Sequence, residues 1–104
     1  MSFEEVQKAV VQFRDARNWR QFHNPKDLAI SISLEAAELM ELFQWKAEKD
    51  FSSVVQERKK DIQEELADVM IYCFSLADVL GIDVRNAISE KMVKNGRKYP
   101  APPP

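Results

Sequence analysis

Apolar residues recur every three or four positions through several long stretches of this chain, with polar residues between them. The first stretch places its apolar side chains at Phe3, Val6, Val10 and Phe13. That spacing puts them on one face of an α-helix. Ser2, followed three residues later by Glu5, has the sequence of a capping box. We therefore predict a first helix that runs from Ser2 to about Asn18.

Asparagine and proline mark the start of the second helix. Asn24 is a good N-cap residue, and Pro25 suits the first helical position because its N–H would have no partner there. The apolar pattern continues to about Trp45 or Ala47, where we predict this helix to end. We interpret residues 50–54 as a connector that contains one short turn.

The two glycines of the chain are assigned to the ends of the remaining helices. The apolar pattern predicts a third helix over about 55–80, closed by Gly81 in the left-handed position that glycine adopts most easily. Asp83 caps a fourth helix, which we predict to end at Gly96. No glycine then remains for a phosphate-binding loop, so metal and side chains would have to hold any phosphate ligand.

The second half of the third helix is apolar nearly all the way round. After Asp68 the chain continues with Val69, Met70, Ile71, Tyr72, Cys73 and Phe74. Such a helix needs packing partners on every side. We therefore predict an all-α fold, a four-helix bundle whose subunits associate as a symmetric dimer or a dimer of dimers. The alternative is a monomeric bundle with the third helix at its centre.

Length and charge limit the function classes. A chain of 104 residues is one domain, and we assign it residues 1–99, followed by a proline-rich tail over 100–104. With 15 basic and 17 acidic side chains, no overall charge favours nucleic acid or an anionic membrane. The single Cys73 cannot form an internal disulfide, and the sequence shows no signal segment or membrane span. We therefore expect a cytoplasmic protein.

Two pairs of acidic residues carry the most informative chemistry. Glu35 and Glu38 are three residues apart in the second helix, and Glu65 and Asp68 are three apart in the third. Residues at this spacing project from one side of a helix. Glu35 falls within the apolar stripe of its helix, and the second pair shares a side with Val69 and later apolar residues. We therefore expect both pairs to face inward.

Carboxylates that face the protein interior need a partner or a proton that offsets their mutual repulsion. Two of them about 4 Å apart repel by about 4 kcal/mol even at an effective dielectric near 20. The compensation can be raised pKa values with shared protons, Lys or Arg partners, or a divalent cation. Because the stripes carry no basic residue, a cation among the four carboxylates is the simplest solution, and oxygen ligands favour Mg²⁺ or Mn²⁺ over Zn²⁺. The alternative is that these acids lie on solvated helix faces.

Segments beyond the acidic pairs match a known family. They are Trp19–Pro25, Leu39–Trp45, Asp68–Tyr72 and Lys91–Pro100. Together with the Glu-x-x-Glu and Glu-x-x-Asp motifs, they resemble the MazG-like nucleoside triphosphate pyrophosphohydrolases, in particular the dCTP pyrophosphatase branch. The resemblance extends over nearly the whole length, from the first helix to Pro100.

The resemblance implies an all-α protein, usually a homotetramer of paired dimers, with Mg²⁺ held by Glu35, Glu38, Glu65 and Asp68. It implies hydrolysis of a nucleoside triphosphate to the monophosphate and pyrophosphate, with one of the glutamates as the base that activates water. The branch further implies a house-cleaning enzyme for pyrimidine deoxynucleotides such as dCTP or its modified forms.

The resemblance also implies a pocket for the base. Trp19 and Trp45 would stack on it, a contact worth about 1–3 kcal/mol per base, and His23 would lie in the same pocket. Tyr72 lies one turn beyond Asp68 on the same face, so its hydroxyl would reach a phosphate or a metal-bound water. Taken alone, the tryptophans also fit helix-end anchors, the histidine a loop position and the tyrosine a core position.

A basic segment ends the fourth helix. The resemblance makes Lys91, Asn95 and Lys98 phosphate contacts, within the subunit or reaching into a neighbouring subunit's site. The helix dipole by itself already favours basic residues at this end. Gly96 occupies a position where the family often has an arginine. One phosphate contact expected from the family is therefore missing its side chain in this sequence.

Other functions fit parts of this pattern. Di-iron carboxylate bundles need two Glu-x-x-His pairs, which a chain with one histidine cannot supply. The related all-α dUTPases and phosphoribosyl-ATP pyrophosphatases share the helices and the acids, so only substrate turnover separates them. A helical adaptor with inward acids is the non-enzymatic alternative, and it should show no stabilisation by Mg²⁺.

Overall fold

A computed structural model describes residues 1–103 of the chain. Its main elements are four α-helices: α1 (Phe3–Ala16), α2 (Pro25–Glu41), α3 (Phe51–Leu80) and α4 (Val84–Lys98). Two short 3₁₀ helices, Trp19–Phe22 and Glu48–Asp50, precede α2 and α3. The described residues contain no β-strand, so the predicted all-α class is confirmed. The predicted tail over 100–104 has no regular structure as far as Pro103, and its last residue lies outside the described part.

Three helices begin where the sequence predicted, because a side-chain oxygen accepts the backbone N–H three residues further on. These caps are Ser2, Asn24 and Asp83, with hydrogen bonds of 3.1, 2.8 and 3.1 Å. The bonds satisfy N–H groups that have no partner within the helix. α3 ends as predicted at Gly81, whose φ of +66° lies in the left-handed region.

α1 ends two residues before the predicted end at about Asn18. The helix stops at Ala16, and Asn18 adopts a left-handed φ of +59°. Asparagine tolerates this conformation better than most residues, but it cannot continue a right-handed helix. The chain therefore turns and enters the 3₁₀ helix that carries Trp19.

The predicted end of α2 at Trp45 or Ala47 is also wrong. The helix stops at Glu41, and residues 42–45 form turns. The backbone N–H of Lys46 then bonds to the carbonyl of Phe43 at 3.0 Å. The apolar pattern continues past Glu41 because these turns still pack on the fold, although they are no longer helical.

The predicted connector over 50–54 is largely helical, since α3 begins at Phe51. Helical geometry is interrupted within α3 at Arg58, where φ is −113° and ψ is 19°. The turns before this kink pack near the end of α2: Val54 is buried, and the ring of Phe51 meets that of Phe43 edge-on at 6.3 Å. The kink thus divides α3 into a short first segment and a long second one.

The predicted end of α4 at Gly96 is wrong. Gly96 lies inside α4, which continues to Lys98. After it, the N–H of Tyr99 still bonds to the carbonyl of Asn95 at 2.8 Å. Glycine in a helix interior costs only about 1 kcal/mol relative to alanine, so hydrogen-bonded turns on both sides are enough to keep it helical.

α2 and α3 form the main helix pair, and α1 packs against α3. Arg14 fastens α1: its side chain is buried, and its Nη1 donates a hydrogen bond to Asp78 Oδ2 at 2.7 Å. Phe3 also meets Phe74 edge-on, with ring centroids 5.4 Å apart. An ion pair from a buried arginine and an aromatic contact thus connect α1 to α3.

Much apolar surface stays open in the single chain. The buried hydrophobic residues are Leu28, Val54, Phe74 and Ala77. A cavity of about 450 Å³ between α1 and α3, which we call the apolar groove, is lined by side chains such as Val6, Phe13 and Met70. The helices of one chain therefore do not surround α3, and the predicted association of subunits stays a prediction.

α4 is the most loosely attached helix. None of its residues is buried, and an exposed ion pair of 2.8 Å between Arg85 and Glu4 connects it to α1. Its apolar side chains Ile88, Met92 and Val93 are more than half exposed. No helix among residues 1–103 has the length and apolar character needed to cross a membrane.

The buried ion pair gives a stability test. Arg14→Met should lower the free energy of unfolding by about 1–3 kcal/mol, because it leaves a partly buried Asp78 carboxylate without its charged donor. Arg85→Met is the matched control, since it breaks an exposed pair worth about 0–1 kcal/mol. Chemical denaturation of both variants measures the difference. Equal effects would mean that Arg14 does not fasten α1.

Candidate active site

The face between α2 and α3 brings three carboxylates together. Glu35 and Glu38 come from α2 and Glu65 from α3, and one oxygen of each lies within 4.8 Å of the other two. We call these three residues the acidic cluster. The spacing of three residues puts both α2 acids on the side that meets α3. Glu35 and Glu65 are partly buried, while Glu38 is exposed.

The acidic cluster has unmet hydrogen-bonding capacity. Oε2 of Glu35 and Oε2 of Glu65 are buried and have no hydrogen-bond partner among the described residues. A buried acceptor without a partner is costly, and three adjacent carboxylates add mutual repulsion. A hard divalent cation relieves both, since it prefers oxygen ligands of this kind. The residues present therefore fit such an ion.

The pKa values of the cluster reflect this crowding. Burial raises the pKa of Glu35 to about 7, with further contributions from the adjacent carboxylate of Glu38 and from the charges of Asp68 and Glu65. The adjacent carboxylate of Glu38, followed by burial, raises the pKa of Glu65. Without a cation, the cluster therefore retains protons that isolated glutamates would release.

This pKa shift predicts an unusual pH dependence for the metal-free protein. Glu35 has a higher pKa when folded than the ordinary 4.5, so its contribution to stability is present below that value and is lost as pH rises through about 7. In EDTA, we expect the melting temperature of the wild type, relative to Glu35→Gln, to fall between pH 5 and pH 8. Mg²⁺ should reverse the trend, because its binding needs ionised ligands. A wild-type curve parallel to that of the variant in EDTA would contradict the shift.

Asp68, the fourth predicted ligand, lies beside the acidic cluster and not within it. Asp68 and Glu35 line the same cavity of about 310 Å³, and the charge of Asp68 contributes to the raised pKa of Glu35. The structure therefore brings three of the predicted acids into one cluster and places the fourth next to it.

That cavity, which we call the aromatic cleft, also contains three of the predicted substrate-binding residues: Trp19, His23 and Tyr72. Trp19 follows the left-handed turn at Asn18 and meets Phe13 edge-on at 5.7 Å. Aromatic and apolar side chains thus form much of the wall, which also contains Glu35 and Asp68.

His23 contributes a buried polar atom to the aromatic cleft. Its Nδ1 is buried and has no hydrogen-bond partner among residues 1–103. Burial, followed by the positive charges of Arg14 and Arg20, lowers the pKa of His23. The imidazole is therefore neutral at pH 7, with one nitrogen that donates and one that accepts a hydrogen bond.

The acidic cluster also borders a second cavity, of about 570 Å³, which we call the charged cleft. Its wall is formed by Glu38, Glu41, Leu42, Lys46, Arg58 and Glu65. Lys46 follows the turns after α2, and Arg58 occupies the kink of α3. Unlike the aromatic cleft, this cavity has no aromatic residue in its wall.

Sequence reasoning missed three basic residues near the acids: Arg14 in the aromatic cleft, and Lys46 and Arg58 in the charged cleft. A signal existed for Arg14, because it lies one turn after Val10 in the apolar stripe of α1. Lys46 and Arg58 carried no comparable signal, since a turn and a helix kink bring them to the cleft.

The remaining predicted site residues lie elsewhere in the single chain. The side chain of Trp45 is 87% exposed, and it lines neither cleft. Lys91, Asn95 and Lys98 lie on α4 and also line neither cleft. Their roles in substrate binding stay predictions.

Comparison with known proteins assigns the chain to a family. Residues 30–103, well over half of the sequence, match the model of the MazG-like family. The chain belongs to the MazG-like family. The matched region includes all four acids and the whole of α3 and α4. The family resemblance that the motifs indicated is thereby confirmed.

Named relatives of this MazG-like chain include mammalian proteins. It is 37% identical over 102 residues to dCTP pyrophosphatase 1 of Homo sapiens, and 36% identical over 101 residues to that of Rattus norvegicus. These alignments cover 96% and 95% of the chain. The chain spans only 60% and 59% of the length of those relatives.

A solved structure resembles the MazG-like chain over nearly its full length. It is a pyrophosphatase from Archaeoglobus fulgidus DSM 4304, with 46% sequence identity and a TM-score of 0.88. The alignment covers 94% of this chain and 92% of that one. The arrangement of helices described above is therefore shared with a protein of similar size.

Proposed function

We propose that this MazG-like chain hydrolyses a nucleoside triphosphate to the monophosphate and pyrophosphate, with the help of a divalent cation. The acidic cluster carries the proposal: Glu35, Glu38 and Glu65 approach within 4.8 Å of one another beside a cleft that suits a base. The names of the mammalian relatives and of the archaeal pyrophosphatase support the same reaction.

Glu35, Glu38 and Glu65 would hold the cation, with Asp68 as a fourth ligand from the adjoining cleft. The ion we propose is Mg²⁺, with Mn²⁺ as the alternative, because all donors are oxygen atoms. Bound there, it would neutralise triphosphate charge and stabilise the leaving pyrophosphate. One of the carboxylates would accept the proton that the attacking water loses.

The substrate we propose is dCTP or a modified pyrimidine form of it. In the aromatic cleft, Trp19 offers a ring for stacking, and neutral His23 offers a nitrogen without a partner. Such a pair suits a flat base with donors and acceptors on its edge. Tyr72 lines the same cleft and would place its hydroxyl toward the phosphates. The name shared by the mammalian relatives supports the choice of cytosine.

We further propose that the protein works as a homodimer or a dimer of dimers. The apolar groove and the exposed apolar side chains of α4 support this, because isolated soluble chains rarely leave large apolar patches uncovered. A second subunit would also explain the positions of Trp45, Lys91, Asn95 and Lys98, which do not line the clefts of their own chain. We assign these four to substrate binding in the assembled protein.

A substrate panel tests the proposed function. Canonical and 5-modified nucleoside triphosphates are incubated with the protein and Mg²⁺, and the products are separated to distinguish monophosphate from diphosphate. We expect monophosphate and pyrophosphate, with dCTP or a modified form turned over fastest. Preference for dUTP or phosphoribosyl-ATP would assign the chain to one of the related activities. No turnover and no stabilisation by Mg²⁺ would favour the adaptor.

A further inference from the structure

Two cavities of different chemistry meet at the acidic cluster. The aromatic cleft has Glu35 and Asp68 in its wall, and the charged cleft has Glu38 and Glu65. The three carboxylates of the cluster lie within 4.8 Å of one another, so the cluster forms a boundary that both cavities share. A ligand that extends from one cavity into the other must pass the acids.

Basic side chains with free hydrogen-bond donors are found in the charged cleft. Lys46 forms no ion pair or side-chain hydrogen bond among residues 1–103. Arg58 donates from Nε to Asp61, which leaves its two terminal nitrogens without an acceptor in the described chain. Neither residue pairs with the glutamates of the cleft. Both therefore keep donors available for an anion.

The aromatic cleft has no comparable free cation. Its buried Arg14 is neutralised by Asp78 and Asp15, at 2.7 and 2.9 Å. Its remaining wall consists largely of apolar and aromatic side chains and the neutral ring of His23. The two cavities thus match the two ends of a nucleoside triphosphate. The aromatic cleft suits the flat base, and the charged cleft suits the polyanionic phosphates.

Local structure brings the two basic residues to one cavity. They are twelve positions apart in the sequence and belong to different elements. Lys46 follows turns closed by the bond from its own N–H to the Phe43 carbonyl, and Arg58 sits at the non-helical position of α3. The edge-on contact of Phe43 with Phe51 holds these two segments together. Their convergence is therefore built into the packing.

We propose that Lys46 and Arg58 bind the β- and γ-phosphates of the substrate, and hence the leaving pyrophosphate. This inference rests on the proposed function. When water attacks the α-phosphorus, a new P–O bond forms and the bond from the α-phosphorus to the bridging oxygen breaks. The bridging oxygen departs with the pyrophosphate, and the two cations stabilise the negative charge that it gains. The base and the α-phosphate stay on the side of the aromatic cleft.

Direct binding of pyrophosphate tests the inference without relying on turnover. Isothermal titration with inorganic pyrophosphate in the presence of Mg²⁺ is carried out on the wild type, Lys46→Met and Arg58→Met. Each substitution should weaken binding by about three- to tenfold, because it removes one charge-assisted hydrogen bond at a partly exposed site. Binding of dCMP should be unchanged in both variants, since the monophosphate lacks the phosphates that these residues contact.

Matched variants separate charge from structure. Lys59→Met removes a neighbouring exposed charge of α3 that does not line the cleft, so it should bind pyrophosphate like the wild type. Lys46→Arg and Arg58→Lys should restore most of the lost affinity. The inference is overturned if the wild type does not bind pyrophosphate, if Lys46→Met and Arg58→Met bind it as tightly as the wild type, or if both lose dCMP binding equally. Failure of the proposed function would appear separately, as a wild type without triphosphate hydrolysis.

Discussion

Replacing Glu38 by Gln is expected to remove Mg²⁺-dependent release of pyrophosphate while leaving the helices folded. The substitution keeps the size of the side chain but removes one negative ligand from the acidic cluster. Metal catalysis of this kind contributes several kcal/mol of transition-state stabilisation, so the rate should fall by about a thousandfold or more. Glu38 is the best of the three for this test because it is exposed, and its change disturbs packing least.

Two measurements accompany the rate. Circular dichroism should show unchanged helix content, and the increase in melting temperature on adding Mg²⁺ should be lost together with the activity. Glu64→Gln is the control, because Glu64 is an exposed acid of α3 that lies next to Glu65 without joining the cluster. A variant at Glu38 that keeps both its activity and its response to Mg²⁺ would show that the cluster is not the metal site.

Asp68→Asn extends the same test to the residue that lies beside the cluster. If Asp68 is a fourth metal ligand, activity and the stabilisation by Mg²⁺ should be lost together, as for Glu38→Gln. A role limited to the aromatic cleft predicts a different result, in which activity falls while the stabilisation by Mg²⁺ remains. The comparison of the two variants therefore decides the position of Asp68 in the mechanism.

The acidic cluster could be predicted from sequence because helical periodicity defines which residues share a face. Glu35 lies in an apolar stripe, and that stripe had to meet another helix. The face of α3 that carries Glu65 was identified in the same way. Periodicity shows which residues share a helix face, but it does not show how far one helix is shifted along its neighbour. For this reason the sequence did not reveal that Asp68 would lie outside the cluster of three.

Local conformations that depend on packing could not be predicted. Gly96 looks like a helix end, but a helix tolerates one glycine when turns on both sides are hydrogen-bonded. No proline or glycine near Arg58 indicates a kink in the sequence, although the kink places Arg58 in the wall of the charged cleft. Such features arise from the balance of tertiary contacts, which a pattern of apolar residues does not contain.

Subunit association is harder to predict from sequence than the fold of one chain, because the contacts that determine it involve a second chain. The sequence predicted that α3 needs partners on all sides, and the structure leaves Leu66, Met70 and Ile71 between 40% and 52% exposed. Trp45 and the basic residues of α4 were assigned to the substrate through the family resemblance. None of these residues lines either cleft of its own chain, which is what the proposed assembly predicts for residues that act in a neighbouring subunit's site.

Met70→Glu is therefore expected to break the assembly and the activity together. Met70 lines the apolar groove and is 40% exposed in the single chain. A stable interface buries about 800 Å² per partner, which is close to a tenth of the 8225 Å² surface of this chain. A carboxylate in the apolar centre of such an interface has no partner, and should raise the dissociation constant by about a hundredfold or more.

Sedimentation at micromolar concentration should show an oligomer for the wild type and a monomer for Met70→Glu. Activity should fall with it and recover as the protein concentration is raised, because in the proposed assembly the neighbour supplies part of the site. Gln63→Glu is the control, since it adds the same charge to an exposed position of α3 outside the groove. A monomeric wild type with full activity would mean that one chain is sufficient, and Trp45, Lys91, Asn95 and Lys98 would then have to reach the acids by a movement within the same subunit.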